Sequence, residues 1–239
     1  MSKHVETFEG LVLKNINFKD SDKIYTIFVR VLGKVSAKAR GIRKFSSKRL
    51  SSLDSLNLVK IGLVGDHELK TITEVILIDS FKNIKTDFNK LKTAIYLIEI
   101  VSNYLNESEE YQELFDLLVR CLKRLEETSY GDTRIENYFE YQFLKMSGYE
   151  LNLHNCTFCN HSILDSVRFN FNFEKGSIVC ENCTSSHNFF SQNQKNALFL
   201  LNNLKIQSPM EFNEIDKILK SYINSVLPET PKSIKFFNK

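Results

Sequence analysis

The chain has 239 residues, 42% hydrophobic and 26% charged, with a net charge of +3. That leaves room for a real core in one large or two to three small domains, and the total charge alone names no polyanionic partner. No apolar run approaches the roughly eighteen residues a membrane helix needs, and no apolar stretch follows a charged start, so neither a membrane span nor an export signal is expected. Five cysteines, four of them in two close pairs, exclude a disulfide scaffold and point to a reduced compartment.

Residues 1–80 hold fourteen Lys or Arg and nine Asp or Glu, so the positive charge is local to this part. Short strand-like segments follow in quick succession there: Val5–Phe18, Lys23–Val31, Val35–Ile42, Leu56–Val64 and Leu69–Ile78. Turn residues separate them, among them Gly33, Gly65 and Asp66. Five short strands with little helix predict a small closed barrel of the oligonucleotide/oligosaccharide-binding type, the OB-fold, with an SH3-like barrel as the alternative. OB-folds commonly bind nucleic acid across the face of strands 2 and 3.

The cations gather there. The run Gly33–Leu53 carries Lys34, Lys38, Arg40, Arg43, Lys44, Lys48 and Arg49 and no acid. In its first half Val35, Ala37 and Ala39 alternate with Lys34, Ser36, Lys38 and Arg40, which places the apolar set on one face of a strand and the cations on the other. A row of cations continued by a basic loop suits a polyanion; a solvated strand face is the plainer alternative. Phe45 and Tyr25 are candidates for base stacking, and Gly41 is expected to mark a bulge or a close backbone approach. Nothing here offers a base-reading code, so weak sequence preference is expected.

After Asp79 the apolar period lengthens. Leu91, Ala94, Ile95, Ile98, Val101 and Leu105 recur at helical spacing. Ser108 is the expected cap of a second helix, which carries Leu114, Phe115, Leu118, Cys121, Leu122 and Leu125. Gly131–Asp132 opens a third, with Ile135, Tyr138, Phe139 and Met146 on its buried face and Gly148 as its stop. These are read as an antiparallel bundle. Cys121 reads as a small buried apolar residue.

Cys156-Thr157-Phe158-Cys159 and Cys180-Glu181-Asn182-Cys183 form a CxxC…CxxC pattern, the spacing of a structural zinc site. Four thiolates fill a tetrahedral sphere and leave no position for a catalytic water. His154, His161 and His187 lie near enough in sequence to replace one ligand. Zn2+ is expected to staple a ribbon, Val167–Phe173 with Ile178–Val179, too small for its own core. A redox role is the lesser alternative, because neither pair opens a helix after a strand. Beyond the cysteines, Ser191-Gln192-Asn193-Gln194 has the form of a capping box. Ala197, Leu198, Leu201 and Leu204 continue that helix. Ile215, Ile218, Leu219, Tyr222, Ile223, Val226 and Leu227 form a last helical stripe before Pro228. The expected fold is α+β and multidomain: an OB-fold barrel at 1–80, a helical part at 81–150, an inserted zinc module at 151–189 and returning helices at 190–239.

Four pieces of the chain, taken in order, resemble the RecO family of bacterial recombination-repair mediators. Lys19-Asp20-Ser21-Asp22-Lys23-Ile24 is similar to the family's acidic turn between its first strands, and Gly33–Lys44 to its basic strand and loop. Phe139-Glu140, Gly148-Tyr149 and the first cysteine pair resemble its passage into the zinc module, and Lys232–Phe237 its closing segment. The resemblance implies binding to single- and double-stranded DNA, annealing of complementary strands, and loading of recombinase onto DNA coated by single-strand-binding protein. It implies RecR and the C-terminal tail of single-strand-binding protein as partners, in the cytoplasm at the bacterial nucleoid. DNA contacts carried over by position fall on Lys38, Arg40, Arg43 and Lys44, and metal ligands on the four cysteines. Phe45 stands where the family commonly has proline, and Gly176-Ser177 where a glycine pair is usual. An RNA-binding or ribosome-associated zinc protein is the competing reading. A metal-dependent hydrolase or deaminase is disfavoured by the filled sphere and by the lack of His-x-Glu before the first pair. No enzyme activity is expected.

Overall fold

A computed structural model describes residues 6–42, 51–65, 69–106, 111–128, 133–163, 168–184, 190–191 and 212–233. The chain divides into two compact units, Met1–Tyr130 and Gly131–Lys239.

The first unit holds five strands, β1 (Glu6–Phe18), β2 (Asp22–Val29), β3 (Gly33–Ala39), β4 (Leu58–Val64) and β5 (Leu69–Asp79), closed into a barrel in the order β1-β2-β3-β5-β4. All neighbours are antiparallel except β3 and β5. This is the expected OB-fold barrel. Closure depends on the length of β1, whose first half pairs with β4 (Glu6–Leu11) while Gly10–Phe18 pairs with β2. A register shift between Val12 and Lys14 marks a bulge, which bends β1 from one partner toward the other. Gly10 sits at the crowded crossing, where a Cβ would stand 2.9 Å from Cγ2 of Ile27. The barrel is filled by Val12, Tyr25, Ile27, Val29, Val35, Ala37, Ala39, Val59, Ile61, Leu63 and Ile72. Small residues on β3 make room for a large one on β2, since Ala37 lies opposite Tyr25.

Three helices complete this unit: α1 (Lys82–Thr86), α2 (Phe88–Tyr104) and α3 (Gln112–Glu127). α1 was not expected. It is one turn long, and its amide groups at Asn83 and Ile84 are each held at 2.9 Å by the Glu126 carboxylate of α3. Asp87 caps α2 by accepting from the amides of Asn89 and Lys90. The buried face of α2 runs through Lys90, Thr93, Ala94, Leu97, Ile100 and Val101, so the expected stripe was displaced and Ile95 is exposed. α3 begins after Tyr111, not at Ser108, which lies outside the described residues. Its expected apolar face is buried in full, with Leu117 and Val119 added. Phe28 meets Phe115 edge to face, with ring centroids 5.2 Å apart. Beside that contact, Arg30 donates two 2.8 Å hydrogen bonds to the Asp116 carboxylate, fixing barrel to helix.

The second unit contains α4 (Thr133–Met146), a sheet of β6 (Arg168–Asn172), β7 (Ser177–Cys180) and β8 (Phe190–Ser191), and α5 (Phe212–Val226). Gly148, at φ +80°, ends α4. Its amide reaches the Lys145 carbonyl and that of Tyr149 reaches Leu144, the two bonds of a Schellman stop. Met146 is exposed and leaves the expected core. Ser191 pairs with Arg168 in the sheet, and the helix expected after it falls on 192–211, outside the described residues. Ile215, Ile218, Leu219, Tyr222, Ile223 and Leu227 are buried as expected.

Candidate nucleic-acid interface and metal centre

Along β3 the burial alternates as the sequence required. Val35, Ala37 and Ala39 line the core, Lys34, Ser36 and Lys38 are half-buried, and Arg40 is exposed. The register carries this face across the sheet. Lys38 lies opposite Ile24, which lies opposite Ile16; Ser36 lies opposite Thr26, which lies opposite Lys14. Lys14 and Lys19, both exposed, thus share a face with Lys38 and Arg40. Phe18 sits among them, with the ammonium groups of Lys19 and Lys38 at 5.5 and 5.9 Å from its ring centre. These three residues were missed in the sequence. The signal was present: a tight turn after Phe18 forces β1 and β2 to pair, and parity then puts Lys14 and Phe18 on the outer face.

Lys34 stands apart, toward the helices, where its ammonium donates to the Ser102 carbonyl at 3.4 Å. Arg43, Lys44, Lys48, Arg49 and Phe45 lie outside the described residues. Tyr25 is fully buried in the barrel core, so it offers no face to a base, and the stacking expected of it is withdrawn. Burial, then the charge of Asp54, pushes its hydroxyl up to about 12.

Asp22 fixes the exit of β3. Its carboxylate accepts the Gly41 amide at 2.8 Å, and Gly41 takes φ +63°, a turn that glycine enters without the Cβ penalty. The Gly41 amide is the largest influence holding the Asp22 carboxyl below its usual range. Desolvation opposes it, while the Ser21 hydroxyl and the charges of Lys38 and Arg40 assist. Gly41 is therefore a turn just past β3, clipped by the Asp22 side chain.

The four cysteines of the two pairs converge, with all four sulfurs within 4.8 Å of one another. Sulfurs 2.3 Å from a tetrahedral ion stand about 3.8 Å apart, and Cys159 and Cys180 are at 3.7 Å. The donor set and spacing fit a metal ion. His154 and His161 are not in the cluster, and His187 lies outside the described residues. The first pair is anchored to β7 by the Thr157 amide on the Ile178 carbonyl, 3.0 Å, and by contact of the Thr157 and Ser177 hydroxyls. Burial works to raise the Cys156 thiol, but the backbone amides of Cys180, Cys159 and Phe158 converge on its sulfur and bring it down to about 6. Amides aimed at sulfur favour thiolate, the form a metal needs. Cys121, buried on α3, has its thiol pushed up to about 12 by burial and stays inert.

A groove on the first unit, about 440 Å³, is lined by Phe115 and Val119, by the cations Arg120, Lys123 and Arg124, and by the carboxylates Glu9, Asp116 and Glu127. No described helix is long and apolar enough to cross a membrane.

Strand order, a cationic face across β1–β3, and a four-sulfur cluster define a class: an OB-fold protein with helices and a cysteine module fit for a metal ion. Two family models match, "Recombination protein O N terminal" over residues 1–81 and "Recombination protein O C terminal" over residues 85–234. The chain belongs to the recombination protein O (RecO) family of DNA repair and recombination proteins. It is 29% identical over 234 residues to the DNA repair protein RecO of Clostridium perfringens, covering 95% of this chain and 94% of that one. It is 26% identical over 238 residues to that of Clostridium novyi, covering 96% and 92%. Against that of Syntrophus aciditrophicus it is 32% identical over 179 residues, covering 73% and 68%.

Proposed function

We propose that this chain is a recombination mediator without enzyme activity. It binds single- and double-stranded DNA, anneals complementary strands and helps load recombinase onto DNA coated by single-strand-binding protein. The observation that carries the reading is the outer face of β1–β3, which carries Lys14, Lys19, Lys38 and Arg40 and where the ammonium groups of Lys19 and Lys38 lie beside the half-buried Phe18. The mechanism is charge neutralisation. Cations between two phosphate backbones release condensed counterions and lower the repulsion between strands, so that complementary bases meet without nucleotide hydrolysis. The sequence holds no phosphate-cradling GxxxxGK[ST]. Arg43, Lys44, Lys48 and Arg49 follow Arg40 in the sequence and add to its positive charge. Lys34, held at Ser102, stands at the edge of that face.

Zn2+ is the ion that four cysteine sulfurs at this spacing suit best, and its role here is structural: it joins the first pair to β7 and holds a module with little core. Partners follow from family membership: RecR, and the tail of single-strand-binding protein. The place of action is the bacterial cytoplasm, at the nucleoid.

The test is annealing of complementary strands pre-coated with the cognate single-strand-binding protein. Annealing without nucleotide is expected, and loss of it in Lys38→Glu/Arg40→Glu. Annealing no faster than in the protein's absence overturns the reading, and preference for RNA over matched DNA strands transfers it to the competing class.

A further inference from the structure

We propose that Phe158, at the tip of the cysteine module, is a second contact for single-stranded nucleic acid, with Lys175 beside it. Phe158 lies between the two ligands of the first pair and is 59% exposed. A large apolar side chain is held out by its backbone there. The Phe158 and Cys159 amides are committed to the Cys156 sulfur, the Asn160 amide donates to the Cys156 carbonyl at 2.9 Å, and Asn160 takes φ +56°. The backbone of the turn is thus fixed from within, and it presents the Phe158 ring at the surface.

The surroundings decide what the ring meets. Lys175, in the turn between β6 and β7, places its ammonium 5.6 Å from the centre of the Phe158 ring. Its own amide is tied to the Asn172 side chain at 3.0 Å, so the lysine is presented from an ordered turn. The other neighbours along the chain are polar: Thr157, Asn160, and Asn155, whose side chain bonds that of Asn160. An exposed ring with a cation over one face matches a base stacked on the other, with the lysine near the strand's backbone, as in single-strand platforms and zinc knuckles. Glu174 is next to Lys175, which leaves little net charge. The contact is therefore led by stacking and adds little salt dependence, unlike the barrel face. The proposal shares with the barrel reading only its ligand class.

The chain has no tryptophan, so Phe158→Trp installs a single reporter that keeps an aromatic at the tip. Oligothymidylate is expected to quench its emission, saturating together with the anisotropy of a labelled strand. Phe158→Ala is expected to bind the strand about tenfold more weakly, from a stacking contribution of roughly 1–3 kcal/mol per base, with its salt slope unchanged. Emission unmoved while anisotropy rises overturns this proposal and leaves the barrel reading standing. Neither signal moving overturns both. Quenching that persists in Phe158→Trp combined with Lys38→Glu and Arg40→Glu supports the tip as a contact in its own right.

Discussion

Removing Lys38 and Arg40 together should change the salt dependence of DNA binding by a calculable amount. Each phosphate neutralised on a single strand contributes about −0.7 to the slope of log K against log salt. The four cations described on the outer face of β1–β3 give roughly −2.8, so affinity falls about 50-fold between 50 and 200 mM salt from these contacts alone. Lys38→Ala/Arg40→Ala removes two of the four. The slope becomes shallower by about 1.4 whatever the loop beyond residue 42 adds, because that contribution is common to both proteins. Lys38 leaves β3 on its outer face and Arg40 is exposed just past its end, while Val35, Ala37 and Ala39 fill the core, so the barrel survives the change and far-ultraviolet circular dichroism stays the same. The assay is anisotropy of a labelled oligothymidylate at four or more salt concentrations. Parallel lines for the two proteins, displaced or not, refute the reasoning, because they mean that these cations release no counterions and face no phosphate.

Gly176→Ala should unfold the second unit more readily: at φ +57° an added Cβ overlaps the Tyr222 ring, with Cε1 at 3.0 Å. Left-handed backbone costs about 1–2 kcal/mol and overpacking about 1–3 kcal/mol. In a double-mutant cycle by denaturant unfolding, Gly176→Ala/Tyr222→Ala should cost less than the two single changes summed, and simple additivity would count against the clash. Cys159→Ala should lower the metal content of the purified protein and expose the module to protease first, with DNA binding by the barrel face retained; full metal occupancy by elemental analysis would count against the four-sulfur site. The Asp22 carboxyl sits below its ordinary value in the folded chain. Its contribution to stability is therefore present above about pH 4 and is lost as pH falls through the depressed value. The gap in unfolding midpoint between the native chain and Asp22→Asn should narrow from about pH 5 to about pH 2, and a constant gap would contradict the Gly41 clip.

What was legible in the sequence was what short-range periodicity encodes. The alternation of Val35, Ala37 and Ala39 with Lys34, Ser36 and Lys38 decided both the strand and its inner face, because a one-residue slip would have buried every cation. The four cysteines were equally plain, since ligand spacing is local and sulfur chemistry narrow. Tyr25 shows where attention to residue type overrode periodicity: it shares parity with Ile27 and Val29, and that parity placed it inside the barrel.

What was not legible depends on residues far apart in the chain. α1 is too short to hold itself, and it exists because Glu126, more than forty positions later, satisfies its first amides. The same helix end explains the displaced face of α2. Lys90 is buried because its ammonium reaches the Glu126 carbonyl at 3.2 Å, so a lysine takes the place in the stripe that a purely apolar reading gave to Ile95. Phe18 belongs to this group as well. A lone aromatic before a turn has no pattern of its own, and only the pairing of β1 with β2, and of β2 with β3, brings Lys38 over its ring. The barrel was thus written in neighbouring residues, while the surface that gives it chemical character was written across three strands. A cationic row identifies a polyanion-binding face in one strand, but the aromatic that would hold a base on that face becomes visible only once the sheet is assembled.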